Sequence, residues 1–263
     1  MGSASRQALA AAEQTLTATK GVTLAAGEQL LSAGRAIEGS AQLRGLLADP
    51  SLDNAEKSGL IATIFGSLDP IATALILGIV EARWSDADEL LDGIEQIGIR
   101  AIAEASGSDA PIEAELFEFS RAVSSNSDLE LALADKLGDP AAKAALVDTL
   151  LAKKVSPATV AIARHLVQSP RGRRIGALLS GAASIVADAA GRLIATVTTA
   201  VPLSAAQQKR LTEALAARYG REPRLNIVID PAVIGGLRVQ LGDEVVDGTV
   251  AARLSDLRLQ LAG

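Results

Sequence analysis

Apolar residues recur at helical spacing through most of the first 190 residues of the chain. An opening helix is predicted from Ser5 to about Thr19, because Leu9, Ala12 and Leu16 then share one face. Further helices are predicted as far as about Ala190. Their residues are mainly alanine and leucine, which favour closely packed helices over a sandwich or barrel. This part of the chain is therefore expected to be helical.

The hydrophobic period changes to two from Arg192 to Val201, which predicts a strand. Ser204 and Gln207 form a capping box that begins a helix. Three short strands follow between Leu225 and Val246, and a last amphipathic helix ends the chain. Four apolar residues share one face of that helix: Val250, Leu254, Leu257 and Leu261. The order β-α-β-β-β-α predicts a small α+β domain.

The turns between these strands have their own chemistry. Asp230-Pro231 ends one strand, because proline cannot donate a hydrogen bond to a sheet. Gly235-Gly236 provides the positive φ angles of a tight change of direction. Asp247-Gly248 ends the last strand. The acidic residues here lack the spacing of a calcium-binding loop, and the glycine pair lacks the pattern of a phosphate-binding loop. We interpret all six residues as a structural turn motif.

Two parts of the helical region match at a nearly constant offset. Leu43 to Asp49 matches Leu129 to Asp135 at an offset of 86 residues, and the same offset pairs Lys57 with Lys143. A fixed offset over several helices predicts two copies of one helical unit. We therefore predict a multidomain, mainly α chain, with a duplicated N-terminal helical bundle before the small α+β domain.

Three domains follow from this prediction: residues 1–105, 106–190 and 191–263. Their charge is uneven, with a net charge of −7 in the first and +2 in the last. Nucleic-acid binding requires a concentrated basic face, so we expect no nucleic-acid partner. The run from Pro70 to Val80 is the most apolar of the chain, but it is too short to cross a bilayer. We therefore expect no direct membrane insertion.

Candidate catalytic chemistry is sparse. The chain has no cysteine, which excludes disulfides, thiolate metal sites and thiol catalysis. His165 is the single histidine, and no nucleophile or carboxylate is evident beside it, so we expect a packing or surface role. Arg171, Arg173 and Arg174 are expected to lie in a solvated break between helices, and the alternative is that they hold a phosphate or an acidic partner. We predict no catalytic, cofactor or metal site.

The turn motif also resembles a known family. Asp230-Pro231, Gly235-Gly236 and Asp247-Gly248, preceded by Val201-Pro202-Leu203-Ser204, resemble the C-terminal signature of the F-type ATP synthase delta subunit. The mitochondrial member of that family is the oligomycin sensitivity-conferring protein. The resemblance covers nearly the whole chain, with one extra helical bundle. Long, alanine-rich delta subunits of high-GC Gram-positive bacteria share this form.

The resemblance implies a non-catalytic stator subunit in the peripheral stalk, bound peripherally at the cytoplasmic face of the bacterial cell membrane. Its implied partners are the N-terminal helices of alpha subunits and the b subunit. The family's helix groove lies between the opening and fifth helices. Carried onto this chain, it points to seven residues: Leu9, Ala12, Leu16, Leu90, Leu91, Ile94 and Ile97. Equally, these seven can form the bundle core. The implied b-subunit contact is the apolar face of the terminal helix.

Two hypotheses of function remain, since the missing acid/base constellation disfavours a third, an enzyme. The first is the stator subunit that the resemblance implies. The alternative is a helical-repeat adaptor unrelated to ATP synthase.

Overall fold

A computed structural model describes residues 1–107, 109–135, 138–191, 193–220, 223–231, 233, 235–241 and 244–249. The described residues form helices as far as Ala189, and then a strand, a helix and three more strands. This confirms the predicted fold class of a helical N-terminal region followed by a small α+β domain. The predicted terminal helix, with Val250, Leu254, Leu257 and Leu261, lies outside the described residues.

The helices and strands have the following bounds. The helices of the first half are α1 Ser3–Ala18, α2 Leu24–Glu38, α3 Ala41–Ala48, α4 Asn54–Phe65, α5 Pro70–Glu81 and α6 Ala87–Ser106. The next five are α7 Ile112–Ser124, α8 Ser127–Ala134, α9 Pro140–Leu151, α10 Pro157–Gln168 and α11 Ile175–Ala189. The α+β part contains β1 Leu193–Thr199, α12 Ala205–Tyr219, β2 Pro223–Ile229, β3 Leu237–Leu241 and β4 Glu244–Asp247.

Polar N-caps begin most of these helices. Asp53 caps α4 in a capping box, accepting a hydrogen bond from the Glu56 backbone N–H at 2.8 Å. Ser204 and Gln207 form the predicted capping box of α12. Each cap satisfies backbone donors that the first helical turn leaves free.

The separation of α2 from α3 sets the count of helices in the first half of the helical region. Gly39 ends α2, and Ser40 begins α3 by accepting a hydrogen bond from the Leu43 backbone N–H at 3.2 Å. The fifth helix is therefore α5, and the predicted groove residues from Leu90 to Ile97 lie on the sixth.

The helix bounds follow the offset between the two halves of the helical region. Helices α3 and α4 correspond to α8 and α9 at 86 residues, with the same lengths, and α5 corresponds to α10 at 87. The buried residues of α2, including Leu30 and Ile37, likewise match those of α7, including Leu116 and Val123, at 86 residues. The duplication remains a prediction, and these matching bounds support it.

Helix α6 is the central element of the helical region. It packs against α1, α2, α3, α5 and α10, and more than half of its residues are buried. Glycines bring α2 and α6 close together. A Cβ atom on Gly98 would lie 2.4 Å from Cδ2 of Leu31, and one on Gly27 would lie 2.6 Å from Cγ1 of Ile102. The two helix backbones thus approach to a distance that larger residues at these positions would prevent.

The chain separates into two compact units, Met1–Val186 and Ala187–Gly263. The first contains α1 to α10 and most of α11. Its largest apolar cluster joins α1 to α6 through residues such as Leu30, Ile37, Ile76 and Ile94. The predicted boundary within this unit, between residues 105 and 106, is not separated by the same division and stays a prediction.

The second unit has a four-stranded sheet in the order β2-β1-β3-β4. Strands β1 and β2 are parallel and are connected through α12, whereas β1 with β3 and β3 with β4 are antiparallel. The apolar core under α12 includes Ala195, Val197, Leu215, Val239 and Leu241. The register pairs Val197 with Val239 and Val239 with Val246, so these side chains share one face.

The turn motif positions the ends of this sheet. Gly235 and Gly236 have φ angles of 66° and 81°, the positive values that favour glycine. A Cβ atom on Gly236 would lie 2.4 Å from the carbonyl oxygen of Gly248. Asp230 donates its backbone N–H to Thr199 at 2.9 Å, and Asp247 Oδ1 accepts from the Thr249 backbone N–H at 2.9 Å. These residues therefore form turns at the ends of the strands.

Candidate functional site

The structure places the seven predicted groove residues in the interior of the first helical half. Ala12, Leu16, Leu90, Leu91, Ile94 and Ile97 are buried in its apolar cluster, and half-buried Leu9 packs against that cluster. Helices α1 and α6, which carry them, are in direct contact. The placement matches the core role that the sequence left open, and the groove role of these residues stays a prediction.

Small residues line the exposed side of the contact between α1 and α5. Ala11 and Thr15 of α1 and Ala74 of α5 are exposed, and Gly78 of α5 is half-buried. A Cβ atom on Gly78 would be 3.7 Å from Cγ2 of Thr15, so the two helices cross closely here. We call these four residues the α1–α5 seam. These four residues are not among the predicted groove residues, which lie on α1 and α6.

The most polar cluster of the helical unit surrounds Glu95 of α6. This carboxylate is 7% exposed and binds Arg173 through two hydrogen bonds, of 2.9 Å and 2.8 Å. Arg171 Nη2 lies 2.9 Å from Glu95 Oε2 and 2.9 Å from Asp92 Oδ1. The expected solvated helix break is therefore wrong for Arg171 and Arg173, because both pair with carboxylates of α6. Their partners are more than 70 residues earlier in the chain, beyond the reach of local pattern.

His165 of α10 lies between Arg35 of α2 and Glu95 of α6. Arg35 Nη1 is 2.8 Å from His165 Nδ1, and His165 Nε2 is 3.5 Å from Glu95 Oε2, without hydrogen-bond geometry. A guanidinium can only donate, so Nδ1 accepts and the proton of the neutral ring lies on Nε2, which faces Glu95. Burial lowers the pKa of His165; the contact with Glu95 opposes this, and the charges of Arg35 and Arg171 add to it.

The charge state of the two carboxylates differs with their surroundings. Burial alone would raise the pKa of Glu95, but His165, Arg173 and Arg171 outweigh it and hold that pKa well below the usual range. Burial raises the pKa of Asp92, and Arg171 and Arg173 oppose that shift. The cluster is thus an ion network that joins α2, α6 and α10 to the segment before α11.

The chemistry of this ion network favours a structural role. Glu95 is held ionised by two guanidinium groups, and the lone pair of His165 is engaged by Arg35, so neither is poised to accept a substrate proton. Among the residues that the structure describes, no group of three or more His, Cys, Asp or Glu side chains is arranged to hold a metal ion. None of the described helices is both long and apolar enough to span a membrane.

The two outermost strands of the described sheet in the second unit, β2 and β4, expose apolar residues. Val245 and Val246 of β4 are 42% and 36% exposed, and Ile229 at the end of β2 is 52% exposed. Strand β4 is the last strand in the described sheet order, so its outer side is an edge. An exposed edge with apolar side chains is a typical interaction surface.

Comparison with known proteins gives one consistent result. The model of the ATP synthase delta (OSCP) subunit family matches residues 99–261. An ATP synthase subunit delta of Leifsonia xyli subsp. xyli is 50% identical over 264 residues, covering 100% of both chains. One of Streptomyces avermitilis is 40% identical over 267 residues, covering 98% of both chains.

Among solved structures, a chain of the Toxoplasma gondii mitochondrial ATP synthase hexamer aligns at 23% identity and a TM-score of 0.42. It covers 64% of this chain and 96% of that one. The family match begins inside α6, so the first five helices precede it and the second half of the helical unit lies within it.

Proposed function

The chain belongs to the ATP synthase delta (OSCP) subunit family, and from this membership we propose that it is a non-catalytic stator subunit in the peripheral stalk of an F-type ATP synthase. In this role it links the alpha-subunit N-termini of the catalytic head to the b-subunit stalk. The head is then held still against the torque of the rotor during ATP synthesis. Family membership removes the unrelated adaptor from consideration. The observation that carries the proposal is 50% identity to an ATP synthase subunit delta over the full chain.

The internal packing of the helical unit supports a role that bears force. The α2–α6 contact is made at glycines, so the two helices bury backbone against side chain at close range. The Glu95 network ties α10 and Arg171 to the same pair of helices. Such interlocked helices resist relative movement without any chemical step.

We assign the head contact to the α1–α5 seam. The resemblance implies a groove between the opening and fifth helices, and the fifth helix of this chain is α5. Small residues on both walls, Ala11, Ala74 and Gly78, leave room for the anchors of an amphipathic helix. The seven residues first predicted from the sequence then support the seam as the core beneath it.

We assign the stalk contact to the second unit. The described part of it offers exposed Val245 and Val246 on edge strand β4. The sequence adds the apolar face of Val250, Leu254, Leu257 and Leu261. The subunit would then be held at the cytoplasmic face of the membrane by its b-subunit partner.

Calorimetric titration of the full chain with a synthetic alpha-subunit N-terminal peptide from the same organism tests the head contact. We expect binding, and we expect Ala74→Glu to weaken it at least ~10-fold, because it buries a charge in an apolar seam. Ala62→Glu, at an exposed position of neighbouring α4, is the matched control and should bind like the parent chain. If neither the peptide nor the assembled head binds, the stator proposal is wrong.

Co-purification with the soluble part of the b subunit tests the stalk contact. Leu257→Glu should lower the yield of the complex, because it introduces a charge into the predicted apolar face. Gln260→Glu, off that face in the same predicted helix, is the control. Equal recovery of both variants would remove this helix from the contact.

A further inference from the structure

The α1–α5 seam has a counterpart in the second half of the helical unit. An offset of 87 residues relates α5 to α10, and it pairs Ala74 with Ala161 and Gly78 with His165. At the 86-residue offset of α2 and α7, α1 falls within α6, so α6 and α10 are the counterparts of α1 and α5. The α6 positions that contact α2 include Gly98 and Ile102. We call Gly98, Ile102, Ala161 and His165 the α6–α10 seam.

The two seams differ in exposure. Ala11, Thr15 and Ala74 are exposed in the first. In the second, Ile102 is 0% exposed, Ala161 6% and His165 5%. The α10 residues that correspond to exposed Ala74 and half-buried Gly78 are therefore covered.

Helix α2 covers the α6–α10 seam on its α6 side. A Cβ atom on Gly98 would lie 2.4 Å from Cδ2 of Leu31, so the leucine lies directly over the glycine. Ile102 lies in the same way over Gly27 of α2, where a Cβ atom would be 2.6 Å from its Cγ1. Each helix places a large residue over a glycine of the other.

Helix α2 also covers the α10 side of the same seam. Arg35 Nη1 is 2.8 Å from His165 Nδ1. Leu31 and Arg35 line one small cleft together with Ala161 and His165. At the end of α2, Glu38 accepts a hydrogen bond from the Ser169 hydroxyl. The helix thus contacts both walls of the seam along three of its turns.

We propose that α2 permanently occupies the α6–α10 seam within the chain, so that the duplicated bundle offers a partner helix one seam, the α1–α5 seam. This inference rests on the proposed function only for the identity of the partner. The family match begins at residue 99, so by itself it would place the partner seam in the second half of the helical unit. The proposal places that seam in the first half. The α6–α10 seam is then a helix contact within the chain.

The contacts of α2 also indicate what the open seam accepts. In the covered seam, large and small residues alternate between α2 and α6, as Leu31 over Gly98 demonstrates. Both walls of the open seam are small, with Ala11, Ala74 and Gly78. Its complement is an amphipathic helix that carries large aliphatic or aromatic residues at positions i, i+3 or i+4, and i+7. A helix with a stripe of glycine, like α2, would leave voids there.

Thiol labelling tests the occupancy directly, because the chain contains no cysteine of its own. Ala74→Cys and Ala161→Cys report the open and the covered seam at equivalent positions, and Ala62→Cys on exposed α4 is the reference. With a small maleimide we expect Ala74→Cys to react within a few-fold of Ala62→Cys. Ala161→Cys should react at least ~100-fold more slowly, because α2 must first move away. Comparable rates at Ala74→Cys and Ala161→Cys would overturn the proposal.

The alpha-subunit N-terminal peptide then separates this inference from the proposed function. The peptide should slow labelling of Ala74→Cys and leave the rates of Ala161→Cys and Ala62→Cys unchanged. Protection of Ala161→Cys would refute the internal occupancy even if the stator role holds. Absence of any peptide effect would count against the head contact, while the rates without peptide still decide the occupancy. Titration of the unsubstituted chain gives a second test: one peptide per chain is expected, and two would overturn the proposal.

Discussion

Replacement of Glu95 by glutamine probes the ion network without changing the size of the side chain. In the parent chain, Glu95 receives two hydrogen bonds from Arg173 and one from Arg171. The amide of Glu95→Gln keeps one acceptor oxygen and places a donor NH₂ group against the guanidinium groups. It therefore removes the charge and turns part of an attraction into a donor–donor contact.

The expected magnitude follows from burial. Removal of one partner from a fully buried ion pair costs about 3–5 kcal/mol. Here the Arg171 and Arg173 side chains are 15% and 36% exposed, and Asp92 remains 2.9 Å from Arg171. Solvent and the remaining carboxylate offset part of the loss, so we expect Glu95→Gln to lower the free energy of unfolding by about 2–3 kcal/mol.

Trp84 makes this loss measurable in the helical unit by itself. It is the single tryptophan of the chain, it is 4% exposed, and its indole N–H donates to the Ile79 carbonyl at 2.8 Å. Urea unfolding of the full chain, followed by Trp84 fluorescence, gives the free energy by linear extrapolation. A shift of the midpoint at constant slope is the expected result.

A control on the same helix separates the network from charge in general. Asp88 lies on α6 with its side chain 84% exposed and 3.9 Å from Arg44. Asp88→Asn should change the free energy of unfolding by less than about 0.5 kcal/mol. If Glu95→Gln is as mild as Asp88→Asn, the network does not hold the helices together and the reasoning fails.

Three further predictions concern the same assay. Gly98→Ala should cost about 1–3 kcal/mol, because its Cβ would meet fully buried Leu31, whereas Gly181→Ala on α11, with open space around it, should gain about 0.5–1 kcal/mol. Burial lowers the pKa of His165 below its ordinary 6.5, so near that pH the folded chain binds fewer protons than the unfolded chain. The free energy of unfolding should therefore fall as pH drops through 6.5. His165→Gln should flatten that decline, and an unchanged pH profile of the variant would contradict the prediction. Asp53→Ala should cost about 1 kcal/mol through loss of the α4 capping box, and a neutral result would show that this cap is dispensable.

The sequence predicted those parts of the fold that have local causes. The start of α5 at Pro70, the capping box of Ser204 and the positive φ angles of Gly235 and Gly236 each depend on a few neighbouring residues. The number of short helices was harder to predict: α6, on which the predicted groove residues from Leu90 to Ile97 lie, is the sixth helix of the structure and not the fifth.

The ion network could not be predicted from the local sequence pattern, for another reason. Arg171 and Arg173 appeared solvated because nothing near them in sequence is acidic, and their partner is in a different helix. One signal was present: Glu95 interrupts an otherwise apolar stripe of α6. A carboxylate among buried isoleucines requires a cation, and the sequence does not say which of the 25 lysines and arginines provides it.

Helix α6 has a consequence for the predicted duplication. With 20 residues and a length of about 30 Å, it contacts α1, α2, α3 and α5 of the first half and α10 of the second. Under the predicted duplication, this helix would be the sixth of one copy and the first of the next, so a second copy would need five added helices and not six. A residue inserted into α6 would turn its two parts by about 100° relative to each other, so the contacts of both halves limit the length of this helix.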